Sequence, residues 1–365
     1  MNDHLFFVRY ALHHGEPPQQ IADVDWDGLY RFANEQAIVG VLFEGVKCLS
    51  EQGLKPPRKL LMEWIAVTGQ IEQRNRLVNQ NAVALAAAFK AEGYNSCLLK
   101  GQGNNLLYSS AFSRTPGDID LWITPAESNI SEKQREKKVL GFLRKKYPNG
   151  FLHYNHIDGG IYNSTEVEVH HRPRFLNNLV HNARLQKWIE CHREEQFGNY
   201  VRLPDTNVDI AIPTWDFNVV FQLAHIYGHV LQSGIGLKQM IDYYYLLKAD
   251  GRGKKEDVEK TMRWLGLYKV ASTVMWVLHE ALGLEEEYLI VPPNEKLGKF
   301  LLDEIMRGGN FGQYEANGKR KVVSGRMTKN LQRLQRDFRL LRYFPSECLW
   351  EPVFRIYHWF WRLAH

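Results

Sequence analysis

Residues 95–124 read NSCLLKGQGNNLLYSSAFSRTPGDIDLWIT and contain the pattern that decides the fold. A short apolar run of strand length leads into Lys100-Gly101, a helical stretch follows, and a second strand begins at Asp118. Asp118 and Asp120 alternate with apolar neighbours, so an extended backbone projects both carboxylates from one face and packs the apolar side chains beneath. Two fixed carboxylates on one face can hold Mg²⁺, and this layout predicts a metal-dependent phosphoryl-transfer site.

The composition is that of an ordinary globular protein with a modest positive charge. The chain has 365 residues, of which 44% are hydrophobic and 12% aromatic, and its formal net charge is +5. This length allows about two or three packed units. Four widely spaced cysteines without a CxxC pair argue against a disulfide framework and a cysteine-based zinc site, so we expect a soluble protein of the reducing cytoplasm. No segment has the pattern of a secretory signal or the roughly 20 apolar residues of a membrane span.

Helical periodicity flanks the central region on both sides. Apolar residues recur at helical spacing between residues 26 and 89, and Gly93 ends the last of these predicted helices. From residue 216 onward the pattern is again helical. We therefore predict three units, namely an N-terminal helical unit (1–90), an α/β core (91–203) and a C-terminal helical domain (204–365).

The central region continues with a helix and two strands. Residues 131–146 predict a helix with a charged outer face, and Asp158-Gly159-Gly160 predicts a hairpin turn between the strands that follow. The second strand alternates with a period of two, so Glu166, Glu168 and His170 are expected to share a face.

A set of motifs between residues 98 and 121 has the order and spacing of a known enzyme family. These motifs are Leu98-Leu99-Lys100-Gly101, Tyr108, Arg114 and Gly117-Asp118-Ile119-Asp120-Leu121. They resemble the core of the uncharacterised nucleotidyltransferases in the DNA polymerase β superfamily. Glu168-Val169-His170 and the segment from His225 to Asp242 extend the resemblance. It implies an α+β fold in which a small mixed sheet flanked by helices carries the active site.

The resemblance also implies a reaction and a metal-binding set. Asp118, Asp120 and Glu168 would hold two divalent ions, Mg²⁺ or Mn²⁺, and Glu168 is the candidate base. Such an enzyme moves a nucleoside monophosphate from an NTP, for example ATP, to a hydroxyl-type acceptor and releases pyrophosphate. Two metal ions stabilise the attacking and the leaving oxygen in this kind of displacement. The expected partners are therefore an NTP and an acceptor, either a small molecule or a protein.

Four residues are the nucleotide-binding candidates that the resemblance suggests. Gly101 allows phosphates to approach the backbone, and the helix that follows would offer free N–H groups and the positive end of its dipole. Lys100 would add a point charge, and Gln102 completes this turn. The wider superfamily has glycine followed by serine or glycine here, whereas Lys-Gly resembles the narrower family. Arg114 suits two roles equally, a contact with the triphosphate or a structural ion pair.

Several further residues have a supporting role in this interpretation. His170 would support Glu168 or contact substrate. His225 and His229 stand one helical turn apart, which suits zinc, but the absence of an HExxH pattern favours polar contacts between helices. Lys238 and Asp242, four residues apart, are expected to pair on one helix.

Two alternatives to the enzyme remain open at the level of sequence. The chain could be an inactive nucleotide-binding or regulatory protein of the same fold, or an antitoxin-like nucleotidyltransferase that modifies a protein. A basic segment at residues 326–342 could attract nucleic acid or anionic lipid. A solvated basic face on a packed helix is favoured, because no nucleic-acid-binding motif accompanies it.

Overall fold

A six-stranded mixed sheet lies at the centre of the computed structural model, which describes residues 3–13, 24–249, 251–310, 336 and 338–364. Its strands are β1 (Tyr94–Leu98), β2 (Ile119–Pro125), β3 (His156–Tyr162), β4 (Thr165–His170), β5 (Tyr200–Arg202) and β6 (Asp209–Ala211). They lie in the order β3-β4-β2-β1-β6-β5. β2 is parallel to β4 and β1 to β6, whereas the other neighbouring strands are antiparallel.

Helices precede, flank and follow the sheet, which confirms the predicted α+β class. They are α1 (Asp3–His13), α2 (Trp26–Glu35), α3 (Val39–Glu51), α4 (Arg58–Ala91), α5 (Gln102–Asn105), α6 (Glu132–Lys146), α7 (Leu179–Gly198), α8 (Trp215–Gln232), α9 (Leu237–Lys248), α10 (Lys255–Trp264), α11 (Tyr268–Trp276), α12 (Glu295–Gly308) and α13 (Pro345–Ala364). A π-helical turn, Val277–Ala281, continues α11. Among the helices in the described ranges, none combines the length and apolarity that crossing a membrane requires.

The two faces of the sheet pack against different helices. Ile119 and Leu121 belong to a core that also contains buried residues of α4 and α6. Trp122 points the other way and stacks on Phe217 of α8, with ring centroids 6.0 Å apart. Because side chains alternate along a strand, Asp120 lies on the face of Trp122, opposite the core formed with α4 and α6. The strand therefore separates the acidic residues from their apolar support, as the sequence predicts.

The N-terminal helices share a core with the C-terminal ones. Leu5 of α1 and Met275 of α11 are buried in the same apolar cluster, and Arg9 donates a hydrogen bond of 3.2 Å to a carbonyl of the π-helical turn. The sheet also continues past the predicted boundary at residue 203, because β6 ends at Ala211 and pairs with β1. The three predicted units are thus tightly joined in the structure.

The hairpin turn lies elsewhere than predicted. Asp158-Gly159-Gly160 is part of β3 and forms a bulge in its pairing with β4, and the turn itself is Asn163-Ser164, with φ values of 43° and 65°. Gly160 has a φ of +72°, which favours glycine in a bulge as much as in a turn. A glycine-rich bulge and a glycine-rich turn therefore look alike in sequence. The consequence is that β3 runs beside β4 for its full length.

The helix predicted after Gly101 is much shorter in the structure. α5 contains only four residues, and turns replace the expected helix as far as Ser110. Asn104 and Asn105 at its end hydrogen-bond side chains of α8 and α4 instead of continuing the helix. The dipole expected from a longer helix is therefore reduced to that of a single turn.

Most of the basic segment at 326–342 lies outside the described residues. Within its described part, Phe338 is 75% exposed. Leu340 is buried and belongs to the core that joins the N- and C-terminal helices. Arg339 pairs with Glu304 of α12 at 2.8 Å.

Candidate active site

Three carboxylates on two neighbouring strands form the centre of the site. Asp118 lies immediately before β2, and Asp120 pairs in register with Glu168 across the parallel β2/β4 ladder. One oxygen atom of each carboxylate lies within 4.8 Å of the others. The Asp120 side chain is 2% exposed, whereas those of Asp118 and Glu168 are 32% and 33% exposed. The structure thus brings together the three acids that the sequence singled out.

Lys100 lies against these acids. Its ammonium is 3.1 Å from Asp120 Oδ2 and 3.8 Å from Asp118 Oδ2. Burial lowers the pKa of Lys100, but the charges of Asp118, Asp120 and Glu168 more than offset burial and raise that pKa overall. Lys100 therefore offsets part of the negative charge of the acid cluster, and its predicted role in binding phosphate did not include this contact.

His170 supplies a second positive charge at the same acids. Its Nε2 lies 2.9 Å from Asp120 Oδ1 and 3.5 Å from Glu168 Oε2, and its Nδ1 lies 3.3 Å from the carbonyl oxygen of Arg172. Burial lowers the pKa of His170, but the hydrogen bonds to the two carboxylates reverse this effect and raise the pKa to about 9. Only an imidazolium donates from both ring nitrogens, which fits acceptors on both sides of the ring.

Glu168 is ionised in this setting. Burial raises its pKa, but the hydrogen bond from His170 and the charge of Lys100 outweigh burial, so the pKa of Glu168 is lowered overall. Its Oε1 also lies 3.7 Å from His156 Nε2 on β3. The carboxylate is therefore an available acceptor for protons and cations at the edge of the acid cluster.

The donor set fits a hard divalent cation. Mg²⁺ prefers oxygen ligands and is usually held by one or two carboxylates together with substrate phosphates and water. The oxygens of Asp118, Asp120 and Glu168 converge, and the site already holds the ammonium of Lys100 between two of them. A position that stabilises an ammonium ion through carboxylates also stabilises a metal cation, so the residues present fit Mg²⁺ or Mn²⁺.

A cavity of about 1180 Å³ opens over the acids. β3 and β4 form its floor, α8 forms one wall, and α13 contributes a second wall through Phe354, His358 and Trp359. The cavity is large enough for a nucleotide and part of an acceptor, since ligand sites commonly measure 300–1,000 Å³.

Two histidines face the cavity from α8. The Nε2 atoms of His225 and His229 are 2.9 Å apart, and His229 Nδ1 lies 2.9 Å from Ser233 Oγ. Burial, followed by the charge of Lys100, holds the pKa of His225 well below its usual value. The two rings therefore contact each other along α8, and His229 also contacts the residue that caps this helix, while the expectation of contacts between helices stays a prediction.

Comparison with protein families identifies the relatives of this chain. A model described as “Uncharacterised nucleotidyltransferase” matches residues 22–283, which is more than half of the sequence. The chain belongs to this family. The match includes every strand of the sheet and extends through α11, but ends before α12 and α13. The cavity wall formed by α13 therefore lies outside the region that the family model matches.

Two other comparisons, with curated proteins and with solved structures, give little similarity. A search of curated proteins finds no significant match. Among solved structures, a crystal structure of an antigenic nucleotidyltransferase-like protein from Paracoccidioides brasiliensis is similar to this nucleotidyltransferase-family chain with 13% sequence identity and a TM-score of 0.31. The alignment covers 61% of this chain and 95% of that one.

Arg114 forms a buried ion pair, which is one of the two roles that its sequence context suggested. Its Nε and Nη2 donate to the two carboxylate oxygens of Asp242 at 2.6 and 2.8 Å, and Tyr108 donates to Asp242 Oδ1 at 2.5 Å. The side chains of Arg114 and Asp242 are each 7% exposed. Asp242 therefore pairs with Arg114, and the predicted pair with Lys238 on α9 is wrong.

The two nucleotide-binding candidates in the turn after β1, Gly101 and Gln102, lie in different surroundings. Gly101 has a φ of +61° and lies beside Asp118, where it lines a small pocket of about 50 Å³ next to the acids. Gln102 is 2% exposed, and its amide donates to Asn79 of α4 at 2.6 Å. The Gln102 side chain thus stabilises the turn from the α4 side and lines neither the large cavity nor the small pocket.

Two further cations in this nucleotidyltransferase-family site lack an acidic partner within the described part of the chain. Lys238 of α9 lies in the pocket beside Gly117, and burial and the nearby Arg114 lower its pKa to about 7. Arg174 follows β4 and lines the large cavity, and burial lowers its pKa to about 10. Gly228 of α8 makes room for Arg174, because a Cβ there would lie 1.4 Å from its Nη2. Sequence reasoning missed Arg174, although it lies only six residues after Glu168.

Proposed function

We propose that this chain transfers a nucleoside monophosphate from an NTP to a hydroxyl-type acceptor and releases pyrophosphate, with Mg²⁺ or Mn²⁺ as the metal. The observation that carries the proposal is the convergence of three carboxylate oxygens within 4.8 Å at the base of a large cavity. The family supports the reaction class, since its members are nucleotidyltransferases by description. Nucleotide and acceptor would meet above Asp118, Asp120 and Glu168.

The three acids would hold the metal. When bound, Mg²⁺ neutralises phosphate charge and stabilises the attacking and leaving oxygens. Asp120 is fixed for this role by its buried position and by its hydrogen bond to His170. Asp118 is more open and faces both the large cavity and the small pocket.

Glu168 would act as the proton acceptor. Its side chain lines the cavity and is 33% exposed, and His170 and Lys100 lower the pKa of its carboxyl group. The acceptor hydroxyl would pass its proton to Glu168 as its oxygen forms a bond to the α-phosphorus. The bond from this phosphorus to the oxygen that bridges to the β-phosphorus breaks, and pyrophosphate leaves with that electron pair.

Lys238 and Lys100 would bind the phosphates. Both line the small pocket that also contains Gly101 and the inner side of Asp118. Lys238 is only 8% exposed and forms no ion pair with an acid among the described residues, so a phosphate oxygen would satisfy its charge. Because Lys238 lies on the side of Asp118 that faces away from α13, we assign this side to the departing pyrophosphate and the large cavity to the acceptor.

The reaction can be tested without knowing the acceptor. The protein is incubated with Mg²⁺, each NTP in turn and fractionated cell extract, and products are analysed by mass spectrometry together with pyrophosphate release. We expect an acceptor whose mass increases by one nucleoside monophosphate unit with wild type and not with Asp118→Asn. Equal product formation by both proteins would contradict the proposed mechanism. Tight NTP binding without any product would instead favour a nucleotide-binding protein that catalyses no transfer.

Replacing Lys238 with methionine should stabilise the fold near neutral pH. The folded pKa of Lys238 is about 7 against a usual value of 10.5, so between these pH values the unfolded state binds more protons. The free energy of unfolding of wild type therefore rises with pH across this window. At pH 7 and below the buried ammonium costs on the order of a few kcal/mol, which Lys238→Met removes. Urea denaturation from pH 6 to 10 measures both effects.

The same variant should bind NTP more weakly. A matched control is Lys299→Met, since Lys299 lies on the exposed side of α12 and pairs with Glu295. We expect Lys299→Met to leave the pH slope and NTP affinity unchanged. If Lys238→Met keeps the wild-type pH slope and the wild-type NTP affinity, Lys238 is neither the costly buried cation nor the phosphate ligand.

A further inference from the structure

The edge strand β3 and the turn before it carry a second group of side chains of the types that ligate metals, beside the acids. His153 and His156 lie in a tight turn in which the His153 backbone N–H donates to the His156 carbonyl at 2.8 Å. Their rings stack with centroids 4.3 Å apart. Asp158 follows two residues later in β3, so it shares a face with His156. Six consecutive residues, His153-Tyr154-Asn155-His156-Ile157-Asp158, thus supply three donor side chains.

The donor atoms of this group converge on one point. His153 Nε2 lies 3.3 Å from Asp158 Oδ1, and His156 Nε2 lies 3.6 Å from the same oxygen. One donor atom from each of the three residues lies within 4.8 Å of the others. Ligand atoms of a tetrahedral zinc ion, each about 2.0–2.2 Å from the metal, are separated by roughly 3.3 Å, so only small side-chain movements would complete the site.

The charge of Asp158 supports a cation at this position. No lysine or arginine among the described residues forms an ion pair with Asp158, whose only ion-pair partners there are the two imidazoles. The side chains of His153 and Asp158 are 40% and 49% exposed, and both line the large cavity, so an ion could enter from solvent. The position therefore combines a carboxylate, two imidazoles and open access.

We propose that His153, His156 and Asp158 bind a nitrogen-preferring divalent metal ion such as Zn²⁺, at a site distinct from the carboxylate site of Asp118, Asp120 and Glu168. Two imidazoles and one carboxylate are a ligand set typical of zinc sites that keep a fourth position for water or substrate. Mg²⁺ prefers oxygen ligands only, so the two sites differ in the metal they select.

The register of the sheet places this ion next to the acids. Asp158 pairs with Glu168 and His156 pairs with His170 across the β3/β4 ladder. Neighbouring strands lie about 4.8 Å apart, so the ion would stand one strand away from the third acid of the carboxylate site. It would face the large cavity, where its open position could bind an anionic or hydroxyl group of a ligand.

Metal binding to chelator-treated full-length protein tests the proposal. Excess Mg²⁺ first occupies the carboxylate site, and Zn²⁺ is then titrated by calorimetry while Co²⁺ is titrated by visible absorption. We expect one Zn²⁺ per chain and a Co²⁺ ligand-field band of the intensity typical of four or five ligands. His153→Ala and Asp158→Asn should each weaken Zn²⁺ binding by about tenfold or more, since each removes one ligand.

A histidine outside the cavity provides the control. His192 lies on α7, where its Nδ1 is 2.8 Å from the carbonyl oxygen of Trp188, and His192→Ala should bind Zn²⁺ as wild type does. Both test residues are substantially exposed, so their variants should remain folded, which circular dichroism checks. Wild type without saturable Zn²⁺ binding, or unchanged Zn²⁺ affinity in both His153→Ala and Asp158→Asn, would overturn the proposal.

Discussion

Asp118→Asn should lower kcat/KM for nucleotidyl transfer by about 10³-fold or more, equivalent to roughly 4 kcal/mol of transition-state stabilisation. The amide keeps the size of the side chain but removes the negative charge that faces the metal and the phosphates. Asp118 is 32% exposed and its carboxylate is 3.8 Å from Lys100, so we expect little change in stability. Steady-state pyrophosphate release, measured beside thermal unfolding, separates the two effects.

Glu166→Gln is the matched control for this variant. Glu166 is an exposed carboxylate of β4, two residues from Glu168, and it lines the same cavity. It is not among the three acids whose oxygens converge. We expect Glu166→Gln to retain activity within about threefold. Comparable losses in Asp118→Asn and Glu166→Gln would mean that general negative charge in the cavity matters, and that the acid cluster has no special role.

Asp242→Asn should destabilise the fold by about 3–5 kcal/mol, the usual cost of removing one partner of a buried ion pair. The variant leaves the Arg114 guanidinium without a counter-charge in a position where only 7% of its side chain is exposed. It also replaces the ionised acceptor of the Tyr108 hydroxyl. The free energy of unfolding in urea is the appropriate measurement, with far-UV circular dichroism as the probe.

An exposed ion pair on the central sheet provides the control for this loss of stability. Arg202 and Asp209 join β5 to β6 at 2.8 Å, with side chains 59% and 50% exposed. Such pairs contribute about 0–1 kcal/mol, so Asp209→Asn should change stability by less than about 1 kcal/mol. If Asp242→Asn lowers the free energy of unfolding by no more than Asp209→Asn does, the buried pair of Arg114 and Asp242 does not stabilise the fold as proposed.

The alternation of side chains along a strand was sufficient to predict that Asp118 and Asp120 share a face, because this alternation does not depend on the rest of the fold. Asp118, Asp120 and Glu168 lie on or beside adjacent parallel strands, and the sequence already placed the two aspartates on one face. The pairing of Asp120 with Glu168 depends on strand order, which the family resemblance implied and the residues alone did not. The match of residues 22–283 to the nucleotidyltransferase family agrees with that interpretation.

Tertiary contacts decided the features that the sequence could not predict. Arg114 suits phosphate and carboxylate equally, and only the folded structure shows that Asp242 of α9 is its partner. Gln102 lies in a motif beside the site, yet its side chain turns toward α4. Glycines in Asp158-Gly159-Gly160 fit a turn or a bulge, and strand pairing selected the bulge.

The ion-pair partners of Lys100 likewise could not be predicted from the sequence. Sequence placed it next to a glycine and suggested a phosphate contact, whereas the structure places its ammonium between Asp118 and Asp120. A lysine in this position neutralises the acids before ligands arrive. Lys100 also lines the small pocket in which we propose that the phosphates bind.

Mn²⁺ binding measured by electron paramagnetic resonance tests most directly whether the three acids form a divalent-metal site. The titration compares wild type, Asp118→Asn, Glu168→Gln and the control Glu166→Gln, each with a non-hydrolysable NTP analogue. We expect Mn²⁺ affinity to fall by about tenfold or more in Asp118→Asn and in Glu168→Gln, and to stay at the wild-type value in Glu166→Gln. Equal Mn²⁺ affinity in all four proteins would contradict the proposed metal site.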